Sequence, residues 1–316
     1  DPSGAVSPHS GATRDGFSET PADGAAGGQL AASAEREGTI AGSAHIVFGT
    51  GVSAFRTIKV SQSRFEHAGL RHVTVKSRAL GRRVDLTLFV PSGFEDGAGL
   101  PLVTLLHGVY SSHWAWAYNA GAHLTAARMI AEGEIPPLVL AMPSDGLWGD
   151  GSGYVVHEEA DYESWIVQEV PLVIEEAAAA FSLRSPRFLA GLSMGGYGTL
   201  RLGAKYGSVY QAISAHSSIT SLSELEEFVE QLPDLAGREG ADHSVLQAFL
   251  NNRQNLPAIR FDCGVDDPLL NANRLLHEGL SEAGIEHRYE EFPGGHEWSY
   301  WEEHLVDTLR FFGAHL

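Results

Sequence analysis

Five short, nearly continuous apolar runs, each followed by a helix-like stretch, constrain this chain more than any other feature. They are Leu102–Leu106, Leu138–Ala141, Phe188–Ala190, Ala212–Ser214 and Ile259–Phe261. Each is too brief for a buried helix and lacks the alternation of a strand with one wet face. Such runs are strands covered on both faces. Their alternation with helices implies βαβ units, so the expected fold is α/β: a mostly parallel central sheet flanked by helices. Ahead of Pro91 the pattern differs. His72–Lys76 and Val84–Val90 alternate with period two, with Ala79-Leu80-Gly81-Arg82 in the turn between them. This predicts an antiparallel N-terminal strand pair at the sheet edge.

The regular pattern occupies residues 45–316, which read as one domain. Its apolar content begins at Ile46-Val47-Phe48 and Phe55–Ile58. Residues 1–44 are rich in Gly, Ala, Ser, Pro and Asp, without periodicity, and read as a flexible low-complexity extension. Residues 217–256 are long for a simple connection. Ser221 with Glu224, and Ser223 with Glu226, have capping-box spacing, and Leu222, Leu225 and Phe228 recur at helical intervals. A small helical insertion is expected there, packing on the domain or covering a site at the strand ends.

The 40 acidic and 21 basic residues leave a formal charge of −19. That field repels phosphate backbones and anionic bilayers, so nucleic acid and membrane are not expected partners. No run of about 18 apolar residues is present to span a bilayer. Cys263 is the single cysteine, so no intrachain disulfide can form. No apolar stretch of signal-peptide type lies near Asp1, and the compartment stays open between cytosol and secretion.

The chemistry enters at Gly191-Leu192-Ser193-Met194-Gly195, which follows the strand Phe188–Ala190 and precedes a helical stretch. In that context G-x-S-x-G is a nucleophile elbow of the α/β-hydrolase type. The serine must occupy a sharp, strained turn that lifts its hydroxyl out of the sheet. Side chains at Gly191 or Gly195 would strike neighbouring backbone. The amino end of the helix begun by Met194 favours an oxyanion. One oxyanion donor is then the amide of Met194. The other comes from the loop after an earlier strand, where Leu105-Leu106-His107-Gly108 makes Val109 N–H the candidate. His107 precedes the serine, the wrong order for the base, and reads as a structural histidine bonded to a backbone carbonyl.

Chain order then requires an acid and a histidine. Asp262 lies inside a strand run. Asp266 and Asp267 lie in the loop after it, where an Asp before Pro268 also suits a helix cap. Asp267 is the expected acid and Asp266 the alternative. Among the later histidines, His277 sits in a helical pattern, His287 opens the last core strand, and His304 and His315 fall in the closing helix. His296, in Pro293-Gly294-Gly295-His296, follows that strand and can swing over the sheet toward Ser193. It is the expected base. No metal-ligand set is present, because Tyr300 stands where an H-E-x-x-H motif begun at His296 needs its second histidine. The glycine-rich 149–153 stretch lacks the strand–G-x-G-x-x-G–helix form of a nucleotide site, and no cofactor is expected.

Together, Leu105-Leu106-His107-Gly108, Gly191-Leu192-Ser193-Met194-Gly195-Gly196-Tyr197-Gly198, Cys263-Gly264-Val265-Asp266-Asp267 and Gly294-Gly295-His296-Glu297-Trp298 resemble the esterase D family. That family includes feruloyl and acetyl-xylan esterases, S-formylglutathione hydrolases, enterochelin esterases and mycolyltransferases. The resemblance covers roughly residues 70–316. It implies a serine esterase with an acyl-enzyme intermediate, acting on a small-molecule or oligosaccharide ester. Acylated carbohydrates and hydroxycinnamate esters are the expected substrates, with acyl transfer to a sugar alcohol as the alternative. The Asp closing the C-G-x-x-D run maps onto Asp267. S-formylglutathione hydrolases carry cysteine in the oxyanion loop, whereas here the loop reads Val109-Tyr110-Ser111-Ser112-His113, which argues against that activity. Trp114, Trp116 and Tyr118 follow this loop, and Trp148 and Tyr154 flank the glycine-rich stretch. Trp114, Trp148 and Tyr197 are the candidates for substrate contact, against the plainer reading that such aromatics pack in the core.

Overall fold

The computed structural model describes residues 53–97, 99–232 and 243–316. The expected extension at 1–44 and the apolar segment 46–48 lie outside the described residues. Residues Gly51–Leu316 form one unit. Among the described residues nine strands make a single sheet. They are β1 (Ile58–Val60), β2 (Leu70–Lys76), β3 (Arg83–Phe89), β4 (Leu102–Leu106), β5 (Val139–Pro143), β6 (Arg187–Leu192), β7 (Ala212–His216), β8 (Ala258–Gly264) and β9 (Arg288–Phe292). Their order is β1-β2-β3-β5-β4-β6-β7-β8-β9. The strands from β5 to β9 run parallel, while β1, β2, β3 and β5 pair antiparallel in succession.

The helices are α1 (Ala115–Tyr118), α2 (Ala122–Ala131), α3 (Tyr162–Ser164), α4 (Val170–Ala177), α5 (Met194–Lys205), α6 (Val245–Asn252), α7 (Leu270–Glu282) and α8 (Trp298–Gly313). The apolar runs bury both faces as their composition requires. In β4, Leu102 and Leu106 join the core beneath α4, α5, α6 and α7, while Val103 and Leu105 join the opposite core with α1, α2 and α8. Cross-strand register places the parallel strand ends level: Leu106 opposite Gly191, Leu192 opposite His216, and Gly264 opposite Phe292. The loops that follow therefore open on one edge of the sheet, where α/β folds bind ligands.

Three expectations change. The antiparallel pair is not at the edge, because Ile58–Val60 adds a third strand opposite Val73–Val75 and β3 pairs inward with β5. Within 217–256, residues Leu222–Glu227 form a 3₁₀ helix rather than an α-helix. The capping chemistry is displaced by one residue: the Glu224 carboxylate accepts from the Thr220 N–H and hydroxyl, and the Ser221 hydroxyl bonds Ser223. The described remainder of that stretch includes α6, capped by Ser244. His315 lies beyond α8, which closes where Ala314 N–H returns to Arg310 and Phe312.

A buried polar network joins the carboxyl halves of β7 and β8 to α8. Asp262 accepts from Tyr300 Oη (2.8 Å) and Arg260 Nη1 (2.5 Å) and meets His216 Nδ1 at 2.9 Å. His216 Nε2 meets Thr308 Oγ1 at 2.9 Å, and Thr308 meets Ser214 Oγ at 2.6 Å. Burial pushes the Asp262 carboxyl upward. The His216, Arg260 and Tyr300 partners outweigh it and bring it down to about 2. A carboxyl lowered on folding stabilises the protein fully above its unfolded value, and the stabilisation is lost as pH falls through about 2. Asp262→Ala removes one partner from this buried set. It should cost about 3–5 kcal/mol at neutral pH, read from the urea midpoint, and should flatten the acid limb of stability against pH. A cost below about 1 kcal/mol would show that the network is not integral to the fold.

Candidate active site

Ser193 sits between β6 and α5 with φ 53° and ψ −120° and is buried at 4% exposure. That backbone conformation costs about 1–3 kcal/mol in a residue with a side chain. Close packing imposes it. A Cβ on Gly191 would stand 2.3 Å from Gly195 O, and one on Gly195 would stand 2.3 Å from Leu106 O. Only glycines let the elbow press against β4. Ser193 N–H donates to His216 O at 2.9 Å, tying the turn to β7.

His296 lies in the loop between β9 and α8, Asp267 in the loop between β8 and α7. Asp266 N–H donates to Gly294 O at 2.9 Å, so the two loops are joined. The structure brings Ser193, His296 and Asp267 together. His296 Nε2 is 3.1 Å from Ser193 Oγ, and His296 Nδ1 is 2.9 Å from Asp267 Oδ2. An ionised carboxylate only accepts, so Nδ1 carries the hydrogen and Nε2 turns its lone pair to the serine hydroxyl. Asp267 is buried and Asp266 exposed. Asp267 Oδ1 also accepts from Leu269 N–H at 2.8 Å, so the residue facing the histidine also braces the turn into α7. Burial pushes the Asp267 carboxyl up. The hydrogen bond and charge of His296, then Leu269 N–H and the Ser217 hydroxyl, hold it below the ordinary carboxylate value.

At the oxyanion loop, His107 Nδ1–H donates to Gly108 O at 2.7 Å, while Asp145 N–H donates to His107 Nε2 at 3.1 Å. Tyr154 Oη donates to His107 O at 3.0 Å. The Gly108 carbonyl is thus clamped, and in a trans peptide the Val109 N–H points the opposite way. Among the described residues, neither Val109 N–H nor Met194 N–H donates to a protein acceptor. A Cβ on Gly108 would lie 3.4 Å from Ser193 Cβ, so this loop borders the serine.

The aromatic candidates divide. Trp114 is 42% exposed beside α1, and Trp148 is half-buried against His157. Tyr197 corrects the expectation. It is fully buried in the core, with its hydroxyl 3.3 Å from His243 O, because the first turn of α5 directs it inward. Trp116 and Tyr154 are likewise core residues, donating to Leu106 O and His107 O.

Sequence reasoning missed three neighbours of His296 and Asp267. Phe228 stacks on His296 with centroids 5.7 Å apart, and Trp301 meets it edge-on at 5.0 Å. Trp301 Nε1 donates to Ser217 Oγ at 3.2 Å, and Ser217 itself has φ 46°. Nothing local in the sequence marks these contacts. The position of Ser217 just past a core strand was the one available signal.

Residues 77–312 match the Esterase family. The acetyl esterase of Caldicellulosiruptor saccharolyticus is 27% identical over 238 residues, 68% of this chain and 84% of that protein. Esterase Rv1288 of Mycobacterium tuberculosis is 26% identical over 252 residues, 70% of this chain, which spans 54% of that relative's length. Among solved structures, a ferulic acid esterase superposes with a TM-score of 0.67 at 24% identity, covering 82% of this chain and 99% of that one. The S-formylglutathione hydrolase of Staphylococcus aureus gives 0.64 at 18% identity, covering 81% and 98%. The fold is therefore that of the α/β-hydrolases, and the protein is a carboxylic ester hydrolase. It belongs to the Esterase family.

The two aspartates can be separated by mutation. In Asp267→Asn the side-chain oxygen is retained by Leu269 N–H, and the amide then faces His296 Nδ1 and favours the wrong tautomer. Turnover should fall about 10⁴-fold, as in serine proteases so altered, with a small change in Tm. Asp266→Asn should stay within about twofold of wild type. Loss following Asp266 instead would reassign the acid.

Proposed function

We propose that the protein hydrolyses carboxylic esters through an acyl-enzyme on Ser193, with His296 as general base and acid and Asp267 as the group that orients it. The contiguous path from Ser193 Oγ to His296 Nε2 (3.1 Å) and from His296 Nδ1 to Asp267 Oδ2 (2.9 Å) carries this reading. Neutral serine is a weak nucleophile, and an imidazole lone pair aimed at its hydroxyl removes the proton as attack proceeds. The carbonyl oxygen gains the negative charge and is met by the N–H groups of Val109 and Met194. His296 then gives its proton to the departing alcohol oxygen. A water molecule, deprotonated by His296, releases the acid and restores Ser193. The catalytic domain expected over residues 45–316 is carried by the unit Gly51–Leu316, which holds all three residues.

The substrate is an acylated carbohydrate or a hydroxycinnamate ester. The acetyl esterase relative supports a short acyl group, and a relative named endo-1,4-beta-xylanase/feruloyl esterase, 28% identical over 142 residues, supports a plant-polysaccharide setting. Whether the acyl group passes to water or to a sugar alcohol is read from products formed with and without an alcohol acceptor. Among the described residues no helix is long and apolar enough to cross a membrane.

Ser193→Ala should fold normally and lose about 10⁴- to 10⁶-fold of turnover on 4-nitrophenyl acetate. A fluorophosphonate probe should label the wild type on Ser193 alone and leave the variant unlabelled. Turnover within about tenfold of wild type would sink the assignment.

A further inference from the structure

We propose that the cavity lined by Arg82, Trp148, residues 157–160 and Gln231 binds an uncharged sugar ring within the alcohol portion of the substrate. The inference rests on the hydrolase reading above and adds where the leaving group sits. The cavity has a volume of about 480 Å³, within the range of small-molecule sites. Trp148, His157, Arg82, Glu158, Glu159 and Gln231 line it.

This lining matches the two surfaces of a sugar. A pyranose presents C–H faces, which pack on an aromatic ring, and a rim of hydroxyls, each both donor and acceptor. Trp148 supplies the aromatic platform. His157 braces it edge-to-face at 4.6 Å, and His157 Nε2–H is itself anchored on Ser152 O at 2.8 Å. The platform is therefore ordered before any ligand arrives. Arg82 donates to Tyr162 Oη at 2.6 Å, which holds its guanidinium at the rim. Glu158 and Glu159 offer acceptors, and Gln231 offers both functions. A hydroxycinnamoyl group would meet charged walls here. An anionic ligand would meet two carboxylates and the field of a chain with formal charge −19.

Both walls continue along the chain to residues that neighbour Ser193 and His296. On one, Asp150 O accepts from Tyr110 N–H at 2.8 Å, and Gly151 backs onto Met194, where a Cβ would lie 2.5 Å from the thioether sulfur. On the other, Phe228 stacks on His296. The Asp150 carboxylate ties the walls together, accepting from Glu230 N–H at 2.8 Å and Gln231 N–H at 3.0 Å. The lining residues Trp148 and Gln231 thus each stand three positions along the chain from a residue that packs on Met194 or His296.

The test compares Trp148→Ala and Gln231→Ala with the wild type on 4-nitrophenyl acetate and on an acetylated xylo-oligosaccharide. The ratio of kcat/KM for the oligosaccharide to that for the nitrophenyl ester should fall about tenfold or more in Trp148→Ala, mainly through KM. An unchanged ratio in both variants overturns the proposal. Binding is measured separately, by calorimetry of the deacetylated xylo-oligosaccharide with Ser193→Ala protein. It should bind, and more weakly once Trp148 is also replaced. Absence of binding overturns the sugar site while the hydrolase reading stands. Binding by a protein whose activity survives Ser193→Ala supports the sugar site and overturns the hydrolase reading instead.

Discussion

The Ser193 backbone is held at φ 53° and ψ −120° by contact between chains of atoms that have no room to part. Gly191 and Gly195 let β6 and α5 close against each other and against the end of β4, and any side chain there would overlap backbone oxygen. The strain of this turn is small beside the burial of the strand and helix on either side of it. Because the turn cannot relax, the hydroxyl has one place to be, and the start of α5 stands behind it. The loop after β4 is fixed by the same contact. The amides of Val109 and Met194 and the hydroxyl of Ser193 are therefore not independent features; one crowded junction positions all of them.

His296 is positioned separately, by the loop after β9. Its loop is tied to the loop of Asp267 through Asp266 N–H and Gly294 O, and its ring is held between Phe228 and Trp301. Trp301 in turn donates to Ser217, whose left-handed backbone follows directly on β7. One residue earlier, His216 accepts Ser193 N–H through its carbonyl and joins Asp262 through its ring. The buried network of β7, β8 and α8 thus meets Ser193 through His216 and lies next to the Ser217–Trp301 contact that holds His296. A buried charge set of this kind contributes little net stability, but breaking it leaves charges unpaired, so it enforces one arrangement.

Much of this was legible in the sequence. Near-continuous apolar runs identify strands covered on both faces, and they located β4 to β8 by composition alone. The elbow was legible because glycine on both sides of a serine, between strand and helix, answers a steric need that few other turns have. The relative order of serine, aspartate and histidine made His296 the expected base and left Asp266 and Asp267 as the candidate acids, and the folded chain sets His296 between Ser193 and Asp267. These signals are local: a period, a tolerance for close approach, a position after a strand.

What tertiary structure decided is which surfaces meet. The exchange of β4 and β5 in the sheet order, the inward placement of β3 and the pairing of β1 with β2 depend on which strand edges come together, and an apolar run carries no record of its partner. Tyr197 lies two residues past the elbow motif and faces the core, since the direction of a helix's first turn is set by what the helix packs on. The 3₁₀ turn at 222–227 arose because Glu224 found Thr220 rather than Ser221, a choice between near-equal local bonds. The sequence by itself determined the strand composition, the glycine-lined turn and the residue types that the proposed chemistry uses. Only the folded chain could bring Ser193 and His296, 103 positions apart, to 3.1 Å, because that distance is the product of strand register across the whole sheet.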